Sequence, residues 1–179
     1  MTKILYQNKA FLVEEKNNKT SLKIKSISMN TAKFELHPDL KRDAIPIGEF
    51  HLSLVMLMND QAYPWFVLVP MLGGLRDTCD LSEEQHAIFW AESFRFGRGL
   101  MNAYQGDKLN VASLGNITPQ LHVHHVVRYK RDAAWPAPIW GKHPMKAYER
   151  SQIRIVREKL EQADISGLVL FEGIRTNES

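Results

Sequence analysis

Residues 119–128 read Pro119-Gln120-Leu121-His122-Val123-His124-His125-Val126-Val127-Arg128. Three of the chain's seven histidines fall within four positions of this apolar, β-branched run. Such a pattern predicts a strand. Successive side chains of a strand point to opposite faces. Gln120, His122 and His124 therefore share one face, while Leu121, Val123, His125 and Val127 share the other. Two imidazoles and a carboxamide side by side suit either metal binding or phosphate chemistry.

Upstream of this strand, Lys108 to Leu114 predicts a strand and Gly115-Asn116 a turn or bulge. Leu52 to Leu57 and Trp65 to Val69 are apolar runs joined by turn-forming residues Asn59 to Pro64, the pattern of an antiparallel pair. Pro38 and Pro46 interrupt residues 34–46. Ser82 and Gln85 form a capping box, which predicts a helix running to about Ala103. Ile88, Ala91, Phe94 or Arg95, Gly99 and Met101 follow its period only loosely. Gly97 and Gly99 either weaken its end or permit close packing. Trp135 to Gly141 is an extended aromatic loop. A second helix is expected from about Pro144, which suits a first helical position, to Ala163, with Ile153, Val156 and Leu160 as its apolar stripe. Residues 1–28 differ in character. A polar turn at Glu14 to Thr20 is flanked by strand-like pieces at Ile4 to Tyr6 and Leu22 to Ile27, which predicts either a hairpin or a loosely ordered extension. The expected division is an N-terminal extension, 1–28, and a domain, 29–179.

Hydrophobic residues at 44% and charged residues at 24% are ordinary for a globular protein. The single cysteine, Cys79, excludes an internal disulfide and a multi-cysteine metal site, and a cytoplasmic setting is expected. The longest apolar runs, such as Trp65 to Leu72, are too short to cross a bilayer, and no secretory signal pattern is seen. No membrane association is expected. A net charge of +3 fits anionic small molecules but is no nucleic-acid signature.

His122 and His124 can share a metal ion. No His-Glu-x-x-His motif or second ligand cluster with diagnostic spacing accompanies them. A neutral imidazole is also a good nucleophile toward phosphorus. One ring nitrogen must then face the phosphate while the other donates to a group that fixes the tautomer. The second imidazole can donate to phosphate oxygens, and Gln120 can donate its amide. Asn116 and the backbone N–H groups around Gly115 are further donors for developing charge. His125, His37, His51, His86 and His143 are read as structural, and Trp135 and Trp140 as packing or interface residues in preference to direct ligand stacking.

The stretch resembles the His-φ-His-φ-His-φ-φ signature (φ, apolar) of the histidine triad, or HIT, superfamily of nucleotide hydrolases and transferases. Gln120 stands in the first histidine position and His125 in an apolar slot. Phe34-Glu35-Leu36-His37-Pro38, Leu57-Met58-Asn59-Asp60 with Tyr63-Pro64-Trp65, Leu68-Val69-Pro70, Leu114-Gly115-Asn116 and Asp132-Ala133-Ala134-Trp135-Pro136 up to Trp140-Gly141 extend the likeness. They point to a bacterial branch similar to diadenosine tetraphosphate hydrolases. The resemblance implies an α+β fold with an antiparallel sheet, a long packed helix and a C-terminal helix, often in a homodimer. It also implies attack by His122 on the α-phosphate of a nucleotide, giving a nucleotidyl-histidine. His124 would contact phosphate oxygens, Gln120 would orient its neighbour, and Asn59 and Asn116 would contact the substrate. Hydrolysis of dinucleoside polyphosphates or nucleoside phosphoramidates is the expected reaction, with a nucleotide-binding protein without turnover as the alternative. No resident metal or cofactor is implied, although a divalent cation accompanying the substrate is compatible with it. Met71 stands where relatives often carry a basic residue, and Arg76, Arg128, Lys130 or Arg131 are the candidates to replace that charge.

Overall fold

The computed structural model describes residues 33–172 and the backbone of two further segments, 12–16 and 19–23. The chain divides into two compact units, Met1–Thr31 and Ala32–Ser179. In the first, strands β1 (Leu12–Lys16) and β2 (Lys19–Lys23) pair antiparallel, with Leu12 opposite Lys23. Glu14 to Lys16 and Lys19-Thr20 thus belong to strands instead of the expected turn. Ile4 to Tyr6 lies outside the described residues.

The second unit holds helix α1 (Pro38–Asp43), strands β3 (Ala44–Glu49), β4 (Ser53–Met58) and β5 (Trp65–Pro70), helix α2 (Glu83–Tyr104), strands β6 (Lys108–Ser113) and β7 (Val123–Arg128), helix α3 (Arg150–Gln162) and the short strand β8 (Val169–Leu170). Six strands form one sheet in the order β6-β7-β5-β4-β3-β8, and every neighbouring pair is antiparallel. This is the α+β architecture expected from the sequence. Pro46 lies inside β3, where a bulge shifts the register between Pro46 and Gly48. The neighbouring β8 pairs only with Gly48 and Glu49. A proline, which has no N–H to donate, is tolerated at such an edge position.

The sheet is covered on both faces, so β5 reads as a continuous apolar run instead of an alternating one. Phe66 and Leu68 of β5, with Val123 and Val127 of β7, pack under Phe89, Phe96 and Leu100 of α2 and Ile153, Val156 and Leu160 of α3. On the other face Trp65, Val67, Val69 and Val126 pack with Leu40 of α1 and with Ala134 and Ile139 of the aromatic loop.

Helix α2 starts at the expected capping box: Ser82 Oγ accepts from Gln85 N, and Gln85 Oε1 accepts from Ser82 N. Its buried face is Gln85, Phe89, Glu92, Ser93, Phe96, Gly97, Gly99 and Leu100; of the row expected from the sequence, Gly99 is buried and Ile88 and Met101 pack partly buried against the core, while Ala91 is exposed. Phe94 and Trp90 face outward. Polar Glu92 and Ser93 lie inward because each has work there. Glu92 Oε1 accepts the Leu52 N–H at 2.8 Å, and Ser93 reaches His125. The glycines permit close packing: a Cβ on Gly99 would lie 2.3 Å from Ile165 Cγ1.

Helix α3 starts at Arg150, not near Pro144. Residues 146–148 have no regular secondary structure and are held against the β4–β5 connection, where Gln61 N donates to Lys146 O, Lys146 N to Asp60 Oδ1 and Tyr148 N to Asn59 Oδ1. These bonds withhold backbone groups that a helix would need. A capping box between Glu149 and Gln152 then opens the helix.

The end of β7 is tied to the aromatic loop by Arg128, which is almost fully buried. Its Nε and Nη2 donate to Asp132 at 2.7 and 2.9 Å, its Nη1 to Asn110 Oδ1 and its Nη2 also to Ala137 O. The guanidinium lies over the rings of Trp135 and Tyr63 and holds the Asp132 carboxyl below the usual range. Removing one partner of a buried pair strands the other charge without solvation. Asp132→Ala is therefore expected to lower unfolding free energy by about 3–5 kcal/mol, measured as a lower urea midpoint.

Candidate active site

His124 lies within β7 and His122 just before it. Their rings meet edge to face, with centroids 4.8 Å apart, and both are buried. β5 and β7 pair with Val67 opposite His124 and Trp65 opposite Val126. That register sets Trp65 diagonally beside His124 on the same face, within reach of a large side chain.

His122 Nδ1 lies 2.7 Å from the main-chain oxygen of Gln120. A carbonyl only accepts, so Nδ1 carries the proton and the lone pair is on Nε2. Burial pushes the His122 pKa down, the Gln120 carbonyl opposes this, and charge on His37 pushes it further down. The ring is a neutral imidazole at neutral pH.

His124 has the opposite tautomer. Trp65 Nε1–H donates to its Nδ1 at 2.9 Å. An indole nitrogen only donates, so the His124 proton is on Nε2. Burial, and then the neighbouring His122 and His125, push its pKa down to about 3. The rings of Trp65 and Trp140 lie 5.6 and 5.4 Å from it, centroid to centroid. The pair thus offers one Nε2 lone pair and one Nε2–H.

The Gln120 side chain takes a different part from the one expected. Its Oε1 accepts the His37 N–H at 2.8 Å and its Nε2 donates to Glu35 O at 3.0 Å. The carboxamide pairs with this segment as a strand's peptide group would. The group that orients His122 is the Gln120 main-chain carbonyl. His37 Nδ1 accepts from Asp39 N and caps α1, and Thr118 Oγ1 donates to Asp39 Oδ2 at 3.1 Å. On the other flank, Leu121 N donates to Leu75 O at 3.0 Å.

Asn116 is exposed on the loop between β6 and β7 that leads into His122, beside Gly115, whose φ of +76° suits glycine. Asn59 follows β4, and its Oδ1 accepts from Tyr148 N. The same bond fastens residues 146–148. His125 faces α2. Its Nδ1 donates to Val123 O, so its Nε2 accepts from Ser93 Oγ–H at 2.8 Å. Arg128 is committed to its buried network and does not supply a phosphate contact. Arg76 is exposed and adjoins Leu75, whose carbonyl holds Leu121.

Trp65, Trp140 and His37 were not singled out for the site by sequence. Alternation places Trp65, Val67 and Val69 on one face of β5, but only the β5–β7 pairing brings that face to His124. Among the described residues no group of three or more His, Cys, Asp or Glu side chains could hold a metal ion, and no helix is long and apolar enough to cross a membrane.

Residues 40–131 match the HIT domain family. A histidine triad protein from Marinobacter aquaeolei is 45% identical, with a TM-score of 0.72, over 74% of this chain and 96% of that one. One from Bradyrhizobium japonicum is 40% identical, with a TM-score of 0.71, over 73% of this chain and 98% of that one. A third, from Sinorhizobium meliloti, is 34% identical, with a TM-score of 0.72, over 76% and 99%. The chain belongs to the HIT family. No curated protein matches it.

The neutral histidines give the fold an acid-sensitive term. Above an unfolded pKa of about 6.5 both folded and unfolded states leave them uncharged, and this stability is fully present. Below it the unfolded chain takes up protons that the folded chain refuses until about pH 3 at His124 and about pH 4 at His125. Stability is therefore lost as pH falls through this window. Near pH 5 these two residues should contribute about two protons taken up on unfolding, measured from the pH dependence of urea unfolding. His125→Asn should reduce that uptake by about one.

Proposed function

We propose that the protein hydrolyses a nucleotide at its α-phosphate through a nucleotidyl-histidine on His122. The observation that carries this reading is the complementary state of two adjoining rings: a lone pair on His122 Nε2 and a proton on His124 Nε2. His122 Nε2 attacks the α-phosphorus. An N–P bond forms, and the bond to the leaving group breaks. The bonding pair departs with the leaving group, which takes a proton from solvent. Water then attacks the same phosphorus, the N–P bond breaks and nucleoside monophosphate leaves. The proton lost by water goes to solvent, and His122 returns to its neutral form.

His124 Nε2–H donates to a phosphoryl oxygen as charge develops there. Asn116 and the backbone amides near Gly115 add donors, and such preorganised donors commonly supply the largest catalytic term. Gln120 orients His122 through its carbonyl and holds residues 35–37 through its carboxamide. Asn59 helps hold the nucleoside. The substrates proposed are dinucleoside polyphosphates, as in diadenosine tetraphosphate hydrolases, or nucleoside phosphoramidates, with a divalent cation accompanying the phosphates where they carry one. A homodimer in the cytoplasm is the proposed working form.

A nucleotide binder without turnover is the second reading, favoured by Gln120 and Met71 at positions where the superfamily often has histidine and a basic residue. Two measurements separate the readings. His122→Asn should cut hydrolysis of diadenosine tetraphosphate and adenosine phosphoramidate by at least ~10³-fold while leaving the melting curve and most nucleotide affinity in place. Mass spectrometry of the wild-type protein during turnover should show a nucleoside monophosphate on His122. Turnover retained by the variant would sink the nucleophile assignment, and wild-type binding without adduct or product would establish the binder.

A further inference from the structure

We propose that Trp65 is a positioning residue that holds His124 in the Nε2–H tautomer, so that a neutral ring can donate to the substrate's phosphoryl oxygen. This rests on the hydrolytic reading above for its consequence, though not for its geometry. A neutral imidazole has one protonated nitrogen, and the bond made by one nitrogen decides the state of the other. His122 receives its tautomer from a main-chain oxygen. His124 has no such carbonyl partner among the described residues. The group that meets its Nδ1 is the indole N–H of Trp65, at 2.9 Å.

The indole is well placed to act only in this way. Trp65 is buried on the sheet face that carries His124. Trp140 stands edge-on to it, with centroids 6.2 Å apart and planes at 87°, and also packs against His124. Ring rotation is therefore restricted on both partners. With its donor fixed in the core, Trp65 has no access to the reacting phosphate through that atom and acts through His124. It has a second consequence. An N–H directed at Nδ1 opposes a proton there, so it works with burial to keep the ring uncharged.

Trp65→Phe keeps an aromatic ring in the core and removes the donor. Two-bond ¹⁵N–¹H correlation spectra should show wild-type His124 with an unprotonated Nδ1 and a protonated Nε2. In the variant they should show a mixture of tautomers. Hydrolysis should fall by about 10- to 100-fold in kcat with little change in KM, less than the ~10²–10³-fold loss from deleting a donor outright. In a His124→Asn background, Trp65→Phe should add no further loss, because its effect passes through the ring already removed.

Wild-type His124 protonated at Nδ1 would overturn the proposal without any variant. So would an unaltered tautomer in folded Trp65→Phe, or an equal loss of kcat with and without His124. If the wild-type protein hydrolyses no nucleotide, the reaction assigned above fails, while the spectra still decide whether Trp65 controls His124.

Discussion

The pairing of β5 with β7, with Val67 opposite His124, is the constraint on which the site depends. Both strands are buried on both faces. A slip of one residue would send His124 under α2 and turn His125 toward the aromatic loop. Each ring would lose its partners, since Ser93 waits on one face and Trp65 on the other. An unpartnered buried polar group costs about 1–3 kcal/mol. Thus the hydrogen bonds of two adjacent histidines reinforce the register set by the apolar side chains around them. Arg128 closes the same strand with Asp132 and fixes the loop that carries Trp135 and Trp140. The residues that build the site and those that fix the sheet are therefore largely the same.

Strand alternation made part of this legible in advance. It separated His122 and His124 from His125, and a continuous apolar run identified Trp65 to Val69 as a buried strand. Apolar spacing also identified Ile153, Val156 and Leu160 as the inner face of α3. What escaped were features whose cause lies far along the chain. The inward face of α2 contains Glu92 and Ser93, whose partners Leu52 and His125 lie 40 and 32 residues away. Its apolar Trp90 and Phe94 face outward while Ile88 and Met101 pack against the core, so hydrophobic period alone blurs the boundary of the inner face. The start of α3 is likewise set by contacts of residues 146–148 with the β4–β5 connection. Trp65 and His124 are 59 residues apart, and neither hydrophobicity nor local spacing announces a hydrogen bond between them.

Gln120 shows how a motif position can change without removing what the next residue needs. The bond that fixes the His122 tautomer comes from the main chain, which any residue supplies. The side chain is free for another task, and a carboxamide has a donor and an acceptor that match the Glu35 carbonyl and His37 N–H together. A neutral imidazole also offers one donor and one acceptor, but they lie on opposite sides of its ring. Glutamine is therefore well matched to clamping the segment before α1. That segment carries His37, whose charge would oppose protonation of His122, so the clamp also bears on the electrostatic environment of His122.

The electrostatics bear on how such a site handles an anion. Arg128, the fully buried cation near the end of β7, is neutralised by Asp132 and packed among aromatic rings. The histidines are held neutral by burial. In the proposed reaction, phosphate is stabilised by oriented N–H dipoles instead of a formal positive charge beside His122. That choice has a physical logic. An unpaired buried cation costs several kcal/mol, and protonating either ring would consume or suppress the chemistry it offers. A neutral donor avoids both penalties, and its interaction strengthens when a bound substrate excludes water. The fold alone does not dictate a reaction. The opposite tautomers of two touching rings, each set by a different kind of partner, are what distinguish this strand from a merely histidine-rich core.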